Sequence, residues 1–254
     1  MLGAIIGDIV GSPYEFANTS NPRFPLFSKG GSFTDDTIST IAVADALVRG
    51  SDFGETLREW CLRYPNPQGG YGCSFNAWLH SENPQPYNSF GNGAAMRVSP
   101  CAWAAKSEAE AMRLALASAL PTHNHPEGLV GANTIALAIY QLRVDRWESV
   151  ASIFDSAYGV NPTLPAPGIF DETCQGCVPL AFAICSQSCG FEDAIRRTVL
   201  YGGDSDTLAA LVGSLAEARW GISAEIRELV LSMLPAEMVD VILKFKSKFG
   251  YEFQ

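Results

Sequence analysis

The sequence has few basic residues for its length. Its 254 residues include 17 Lys and Arg against 27 Asp and Glu, which gives a formal net charge of −10 at pH 7. Proteins that bind a nucleic-acid backbone or an anionic membrane surface usually carry a basic patch or stripe. The composition has no such signature, so it argues against both kinds of partner, although it does not exclude a local basic pocket.

Long apolar runs are also lacking. The first ten residues are largely apolar, but Asp8 interrupts them, no basic segment precedes them, and they are too short to span a membrane. Such an opening is typical of a buried first helix. We therefore expect a cytoplasmic protein without a membrane segment, and we expect it to be a monomer.

Cysteine forms no pattern of disulfides or zinc ligands. The seven cysteines are an odd number and lie scattered along the chain, which favours reduced thiols in a cytosol. Cys174 and Cys177 are the one close pair, but a zinc site would need a second pair at ligand spacing, and a redox motif would need a preceding strand. We expect both thiols to be ordinary buried side chains.

Alternation between apolar and polar residues, the signal of a half-buried strand, is missing as well. Apolar residues instead recur at spacings of three and four, which predicts an all-α, compact multi-helix bundle in a single domain over residues 1–254. Gly50, Gly190 and Gly221 follow predicted helices and are expected to cap their ends. The predicted helices span residues 37–49, 53–64, 94–105, 107–119, 127–143, 175–187, 191–200, 207–220 and 223–233.

Three irregular segments, 17–33, 65–93 and 159–173, are rich in Pro, Gly, Asn or Ser. Long loops in a helical domain usually line a site or act as lids. The middle segment leads into Gly91-Asn92-Gly93-Ala94-Ala95-Met96-Arg97. Small residues before a helix let backbone N–H groups approach a phosphate, and Arg97 adds a forked donor, although the same residues also form common turns.

An acidic segment occurs twice, as Thr34-Asp35-Asp36 and as Asp204-Ser205-Asp206-Thr207, each at the start of an Ala-rich apolar run. Either segment alone is explained by helix capping, because helix N-termini attract Thr and Asp. Two such ends brought together by the fold would place four carboxylates side by side, and these would repel unless cations lay between them. Oxygen ligands suit hard ions such as Mg²⁺ and Mn²⁺. The pair of segments therefore predicts a binuclear metal site.

Five motifs follow one another along the chain: Gly7 to Glu15, Thr34 to Asp36, Gly91 to Arg97, Thr122 to Gly128, and Gly202 to Thr207. In this order they resemble the ADP-ribosylglycohydrolase family, over residues 3 to about 220. The resemblance implies an all-helical orthogonal bundle whose central cleft holds two divalent cations, Mg²⁺ or Mn²⁺. It also implies an enzyme that removes ADP-ribose from a modified acceptor.

The resemblance also implies a role for each matching residue. Glu15 matches an acidic residue on a loop over the metal site, although it equally fits a plain surface carboxylate. His123 matches a histidine near the diphosphate and ribose, and His125 is expected to orient its loop or cap a helix. The implied metal ligands are Thr34, Asp35, Asp36, Asp204, Asp206 and Thr207. The implied catalytic residues are Glu15, Asp36 and Asp206. The implied substrate-binding residues are Gly91, Asn92, Gly93, Ala94, Ala95, Met96, Arg97 and His123.

Several functions stay open at this stage. The first expectation is hydrolysis of mono-ADP-ribosyl-arginine on a protein, and the enzymatic alternatives are serine-linked, nucleic-acid or small-molecule conjugates. The partner is then an ADP-ribosylated protein or small-molecule acceptor. A non-catalytic ADP-ribose-binding protein or a crystallin-like structural protein would belong to another class. A structural role predicts loss of metal ligands, and this chain retains all the matching positions.

Overall fold

The computed structural model describes residues 1–252, and these form fourteen α-helices and a short 3₁₀ turn, Ser12–Tyr14. That part of the chain contains no β-strand, only the isolated bridges Thr34–Gln68 and Gly91–Thr173. The all-α prediction is confirmed. None of the described helices is both long enough and apolar enough to cross a bilayer. The helices are α1 Leu2–Gly11, α2 Asp35–Arg49, α3 Phe53–Arg63, α4 Cys73–Leu79, α5 Gly93–Met96, α6 Ser99–Ala104, α7 Glu108–Ala119, α8 Pro126–Arg143, α9 Trp147–Tyr158, α10 Cys174–Gln187, α11 Phe191–Tyr201, α12 Ser205–Trp220, α13 Ala224–Met233 and α14 Ala236–Phe249.

Helix ends follow the capping residues in most places. The Asp52 side chain accepts a hydrogen bond from the Glu55 N–H at the start of α3. Gly50 ends α2 with φ of 68°, and Gly221 ends α12 with φ of 74°. The cap predicted at Gly190 is wrong, because α10 already ends at Gln187 and Gly190 instead precedes α11 with extended backbone.

Two predictions of local structure are corrected. The single helix expected over 94–105 is divided into α5 and α6, because Pro100 has no N–H with which to continue the hydrogen bonding of α5. The loop expected over 65–93 contains α4. Helices α9 and α14 were not predicted, and α9 buries only Val150 and Phe154, a stripe too narrow to stand out.

Helices α1 and α12 pack backbone against backbone. Gly3, Gly7 and Gly11 recur every four residues on one face of α1. A Cβ at any of them would overlap a backbone oxygen of α12, so only glycine permits this approach. Since Gly11 meets the start of α12 and Gly3 meets its middle, the helices run antiparallel. The end of α1 therefore lies beside the first turn of α12.

Candidate metal centre and substrate cleft

The N-terminal ends of α2 and α12 meet at the base of a cleft. Thr34 caps α2, and its Oγ1 accepts a hydrogen bond of 3.2 Å from the Asp36 N–H. Thr207, in the first turn of α12, donates from Oγ1 to Asp36 Oδ2 at 3.0 Å. The predicted meeting of the two acidic segments is confirmed by this contact. Their roles as metal ligands stay predictions.

A cluster of carboxylates surrounds this contact. Oxygen atoms of Glu15, Asp204 and Asp206 all lie within 4.8 Å of one another. Asp36 and Asp206 are 2% and 4% exposed. None of the ion pairs within residues 1–252 involves any of these acids. Their negative charges are therefore not offset by a basic side chain in direct contact.

Burial and mutual repulsion raise the pKa of these acids. Burial is the largest cause in each case, because it penalises the charged form, and the charges of neighbouring carboxylates add to it. The pKa of Glu15 rises to about 8. The pKa values of Asp35, Asp36 and Asp204 lie well above the ordinary range. A bound cation would offset both causes, because its positive charge favours the ionised carboxylates.

The donor set fits hard divalent cations. Every candidate ligand atom is an oxygen, which suits Mg²⁺ and Mn²⁺. The Asp36 Oδ1 atom is buried and has no hydrogen-bond partner, and buried polar atoms rarely lack one. A cation at this point would satisfy it. Thr34 is not among the residues that line the cleft. Its Oγ1 donates to Asp8 Oδ1 at 2.8 Å and accepts from the Asp36 N–H.

Asp8 is the residue whose role the sequence did not reveal. It lies fully buried on α1 and accepts hydrogen bonds at 2.5–3.0 Å from the N–H and Oγ1 groups of both Thr34 and Thr37. Burial, with the charge of Asp206, raises its pKa to about 7. Asp8 thus ties the start of α2 to α1 and positions Asp35 and Asp36 from behind the cleft.

The segment from Gly91 to Arg97 forms another wall of the cleft. Asn92 donates from Nδ2 to Asp204 Oδ2 at 2.6 Å, so its side chain orients a predicted metal ligand. Its backbone N–H donates to the Glu172 carbonyl at 2.7 Å. Gly93 packs against the His123 ring, and a Cβ there would lie 3.4 Å from Cε1. This wall is therefore coupled to the acidic cluster.

Arg97 lines the back of the cleft and is 1% exposed. Its Nη2 donates to Thr122 Oγ1 at 2.7 Å and to the Ser118 carbonyl at 3.4 Å, while its buried Nε has no partner. Thr122 Oγ1 in turn lies 2.7 Å from His123 Nδ1. Burial, together with the charge of Arg97, lowers the pKa of His123 to about 3, so the imidazole is neutral at pH 7. Arg97 braces this loop, and its contact with a diphosphate stays a prediction.

Two secondary predictions are confirmed. His125 Nδ1 accepts a hydrogen bond of 3.1 Å from the Glu127 N–H and so caps α8. Cys174 and Cys177 are buried thiols, and their Sγ atoms donate to the carbonyls of Gly91 at 3.1 Å and Asp171 at 2.8 Å. They fasten the start of α10 to the cleft wall.

The cleft has a volume of about 740 Å³, within the range of cavities that hold small ligands and cofactors. Segments 65–93 and 159–173 supply lining residues, as expected of loops that line a site, whereas 17–33 supplies none. The aromatic side chains of the lining are Phe16, Tyr71, Phe75, Tyr87, Phe90 and Phe170. Carboxylates at the bottom of the cleft and aromatic side chains in its walls suit a ligand that has both charged and planar parts.

A family model described as ADP-ribosylglycohydrolase matches residues 1–249 of the sequence. The chain belongs to the ADP-ribosylglycohydrolase family. An enzyme of this family is a glycosidase that acts on ADP-ribosylated acceptors, and this is the enzyme class of the chain.

Individual relatives agree with that membership. An ADP-ribosyl-[dinitrogen reductase] glycohydrolase from Rhodospirillum rubrum is 28% identical over 87% of this chain and 84% of its own. The ADP-ribosylhydrolase ARH3 of Mus musculus is 28% identical over 55% of this chain and 47% of its own. A solved structure titled ADP-ribosylglycohydrolase-related protein complex has a TM-score of 0.74 at 22% identity and covers 97% of this chain and 95% of the other. At that identity the structural likeness supports the fold alone.

Proposed function

We propose that this protein hydrolyses the bond between ADP-ribose and a modified acceptor, an arginine side chain of a protein, with two Mg²⁺ or Mn²⁺ ions. The observation that carries the proposal is the convergence of two acidic helix ends, where Thr207 Oγ1 donates to Asp36 Oδ2 at 3.0 Å. Oxygen atoms of Glu15, Asp204 and Asp206 lie within 4.8 Å of one another beside this contact. The proposed metal ligands are Thr34, Asp35, Asp36, Asp204, Asp206 and Thr207. A single domain over 1–254, a monomeric state and a cytoplasmic location belong to the same proposal.

The reaction breaks the C1″–N bond to the guanidine and joins a water oxygen to C1″. One water proton leaves the attacking oxygen, and the departing nitrogen gains a proton, so the chain must hold or move a proton beside C1″. Glu15 is half-buried at the edge of the acidic cluster, where it can serve this purpose. The two cations, when bound, supply positive charge that lowers the pKa of water and orients the ribose hydroxyls.

Glu15 reaches the cluster only because the facing loop has no side chain at residue 69. Gly69 has φ of 78°, and a Cβ there would lie 2.8 Å from Glu15 Oε2. The same loop is joined to the chain before Glu15 by the hydrogen bond from Gln68 Nε2 to the Ser12 carbonyl, at 3.2 Å. These contacts support a proton-transfer role for Glu15 in a narrow passage at the cleft mouth.

The diphosphate is proposed to lie against the backbone of residues 91–95, next to the neutral His123. Gly93→Val would place a branched side chain against this histidine, and Arg97→Ala would remove a charged donor whose contact contributes about 10- to 150-fold in affinity. Both variants should weaken ADP-ribose binding. Equal losses for ADP-ribose and ribose 5-phosphate in Arg97→Ala, with a lowered melting temperature, would mean that Arg97 only braces the loop.

The proposed function is tested by measuring free ADP-ribose released from arginine-, serine- and nucleotide-linked conjugates. Each reaction is run with Mg²⁺, with Mn²⁺ and with a chelator. Release that requires a divalent ion and is fastest from the arginine conjugate supports the proposal. Faster release from a serine or nucleotide conjugate would replace the acceptor, and binding of ADP-ribose without any release would indicate a non-catalytic protein.

A further inference from the structure

Two aromatic side chains form a lip at the mouth of the cleft. Phe16 directly follows Glu15, and Phe170 lies in the irregular segment before α10. Their ring centroids are 5.7 Å apart with an interplanar angle of 19°. Phe16 is 75% exposed and Phe170 is 42% exposed, so each ring keeps an open face although the two stack. We call this pair the aromatic lip.

Hydrogen bonds fix the aromatic lip to the second acidic segment. Asn18 donates from Nδ2 to the Gly168 carbonyl at 3.2 Å, and its Oδ1 accepts from the Gly203 N–H at 2.9 Å. Gly168 in turn donates its N–H to the Tyr201 carbonyl at 2.7 Å. One asparagine thus joins both loops of the lip to the turn that leads into Asp204. The two rings are part of a built structure and lie at a fixed place beside the cluster.

The charge around the aromatic lip is negative. Glu15 directly precedes Phe16, and Glu172, an exposed residue, lines the same cleft two positions after Phe170. Arg97 is the one Lys or Arg among the residues that line the cleft, and it is buried and bonded to Thr122. No other Lys or Arg that lines the cleft competes with a cationic group at the lip.

We propose that the aromatic lip and Glu172 form the acceptor subsite and select a planar cationic group, a guanidinium, over a neutral hydroxyl-linked acceptor. This inference rests on the proposed function, because the bond that is broken must lie at the acidic cluster and the acceptor must leave past the residues beside it. A guanidinium stacks on an aromatic face and pairs with a carboxylate at the same time. A serine side chain has neither the plane nor the charge for these contacts.

The test compares two substrates across a set of variants. Phe16→Ala, Phe170→Ala and Glu172→Gln are measured for kcat/KM on an ADP-ribosyl-arginine peptide and on an ADP-ribosyl-serine peptide. Leu243→Ala is the control, since Leu243 is exposed on α14 and does not line the cleft. Each of the three variants should lower the ratio of kcat/KM on the arginine peptide to kcat/KM on the serine peptide by about 5- to 30-fold. The control should leave this ratio unchanged.

A binding measurement accompanies the kinetics. Calorimetric titration of agmatine into the protein loaded with ADP-ribose should show weaker binding in all three variants. If Phe170→Ala lowers the melting temperature, Phe170→Leu keeps an apolar side chain without a ring and should still change the ratio. Equal losses on both substrates, or an unchanged ratio in an active enzyme, would overturn the acceptor subsite alone. A wild-type protein that releases ADP-ribose from neither peptide would overturn the proposed function and this inference with it.

Discussion

The two acidic helix ends are alike in sequence and differ in how the protein holds them. At the start of α2, Thr34 caps the helix and Asp8 accepts four hydrogen bonds from Thr34 and Thr37. At the start of α12, no side chain caps the helix, and the Asp204 carboxylate accepts from Asn92 instead. Both ends lie beside α1, but the first is held by hydrogen bonds to Asp8, whereas the second has the backbone contact at Gly11 and the hydrogen bond from Asn92.

The two ends also differ in what orients their acids. Gly202 and Gly203 precede Asp204 with φ of 77° and 91°, a region that other residues avoid. The turn therefore directs its acids by backbone geometry rather than by capping bonds. We expect the start of α2 to keep its position without metal because of its hydrogen bonds to Asp8. Acids at both ends carry raised pKa values, and bound cations would lower them.

The largest expected effect is the loss of turnover in Asp206→Asn. Removal of one carboxylate takes away a proposed metal ligand, yet it also reduces repulsion among buried acids, so the metal-free protein should melt at the same temperature or higher. Activity at saturating Mn²⁺ and calorimetry on the metal-free protein measure the two effects. Asp36→Asn should behave in the same way.

Glu148→Gln provides the control for these variants, because Glu148 is an exposed acid in the first turn of α9, outside the cleft. It should change neither activity nor stability. Near-normal turnover in Asp206→Asn at saturating metal would show that its carboxylate is not catalytic.

Asp8→Asn should destabilise the protein by roughly 2–4 kcal/mol, because an amide cannot accept the four hydrogen bonds that the buried carboxylate accepts. The change therefore has the opposite sign to that of Asp206→Asn, although both remove one buried negative charge. Denaturant unfolding of the metal-free protein measures it. Asp52→Asn is the control, since Asn caps a helix as well as Asp does. A stable Asp8→Asn variant would remove the distinction between the two helix ends.

Asn92→Ala should weaken metal binding by about 10- to 100-fold, the usual effect of losing a residue that orients a metal ligand. Stability should change little, because the Asp204 carboxylate can still bind a cation or water. Calorimetric titration with Mn²⁺ gives the affinity directly. If the affinity is unchanged, the Asn92 side chain does not support the α12 end and is free for substrate, as the sequence first suggested.

The stability of the metal-free protein is also expected to depend on pH. Folding raises the pKa of Glu15 from 4.5 to about 8 and that of Asp8 from 3.8 to about 7. When folding raises the pKa of an acid, the protein is most stable below the unfolded-state pKa of that acid. The free energy of unfolding then falls as the pH rises towards the folded-state pKa. Metal-free stability should therefore fall between about pH 4 and about pH 8. The rise in Tm caused by Mn²⁺ should grow over that range, and an equal rise at both ends would contradict this account.

Sequence reasoning predicted the acidic helix ends because their signal is local. Thr34 and the aspartates at 35, 36, 204 and 206 lie where helix starts are marked by ordinary capping chemistry. The role of Asp8 could not be predicted in the same way, because its partners are 26 and 29 residues away. The three glycines of α1 were the available signal, since their spacing indicates a close helix contact.

Other features depend on tertiary structure alone. The stacking of Phe16 on Phe170 joins two loops far apart in the chain, and neither loop has a periodic pattern. Arg97 lines the cleft, but the hydrogen bond from its Nη2 to Thr122 is a contact that the sequence does not indicate. Residue type indicates what a side chain can bind, whereas burial and partners decide what it does bind.

The contact between α1 and α12 also bears on which parts of the protein can move. Side-chain contacts between helices can adjust by a change of rotamer. The backbone contacts at Gly3, Gly7 and Gly11 cannot adjust in this way. Helices α1 and α12 must therefore move as one unit. The separation between Asp206 and the end of α1, which leads to Glu15, stays constant. Any opening of the cleft for substrate entry or product release is left to segments outside this pair of helices.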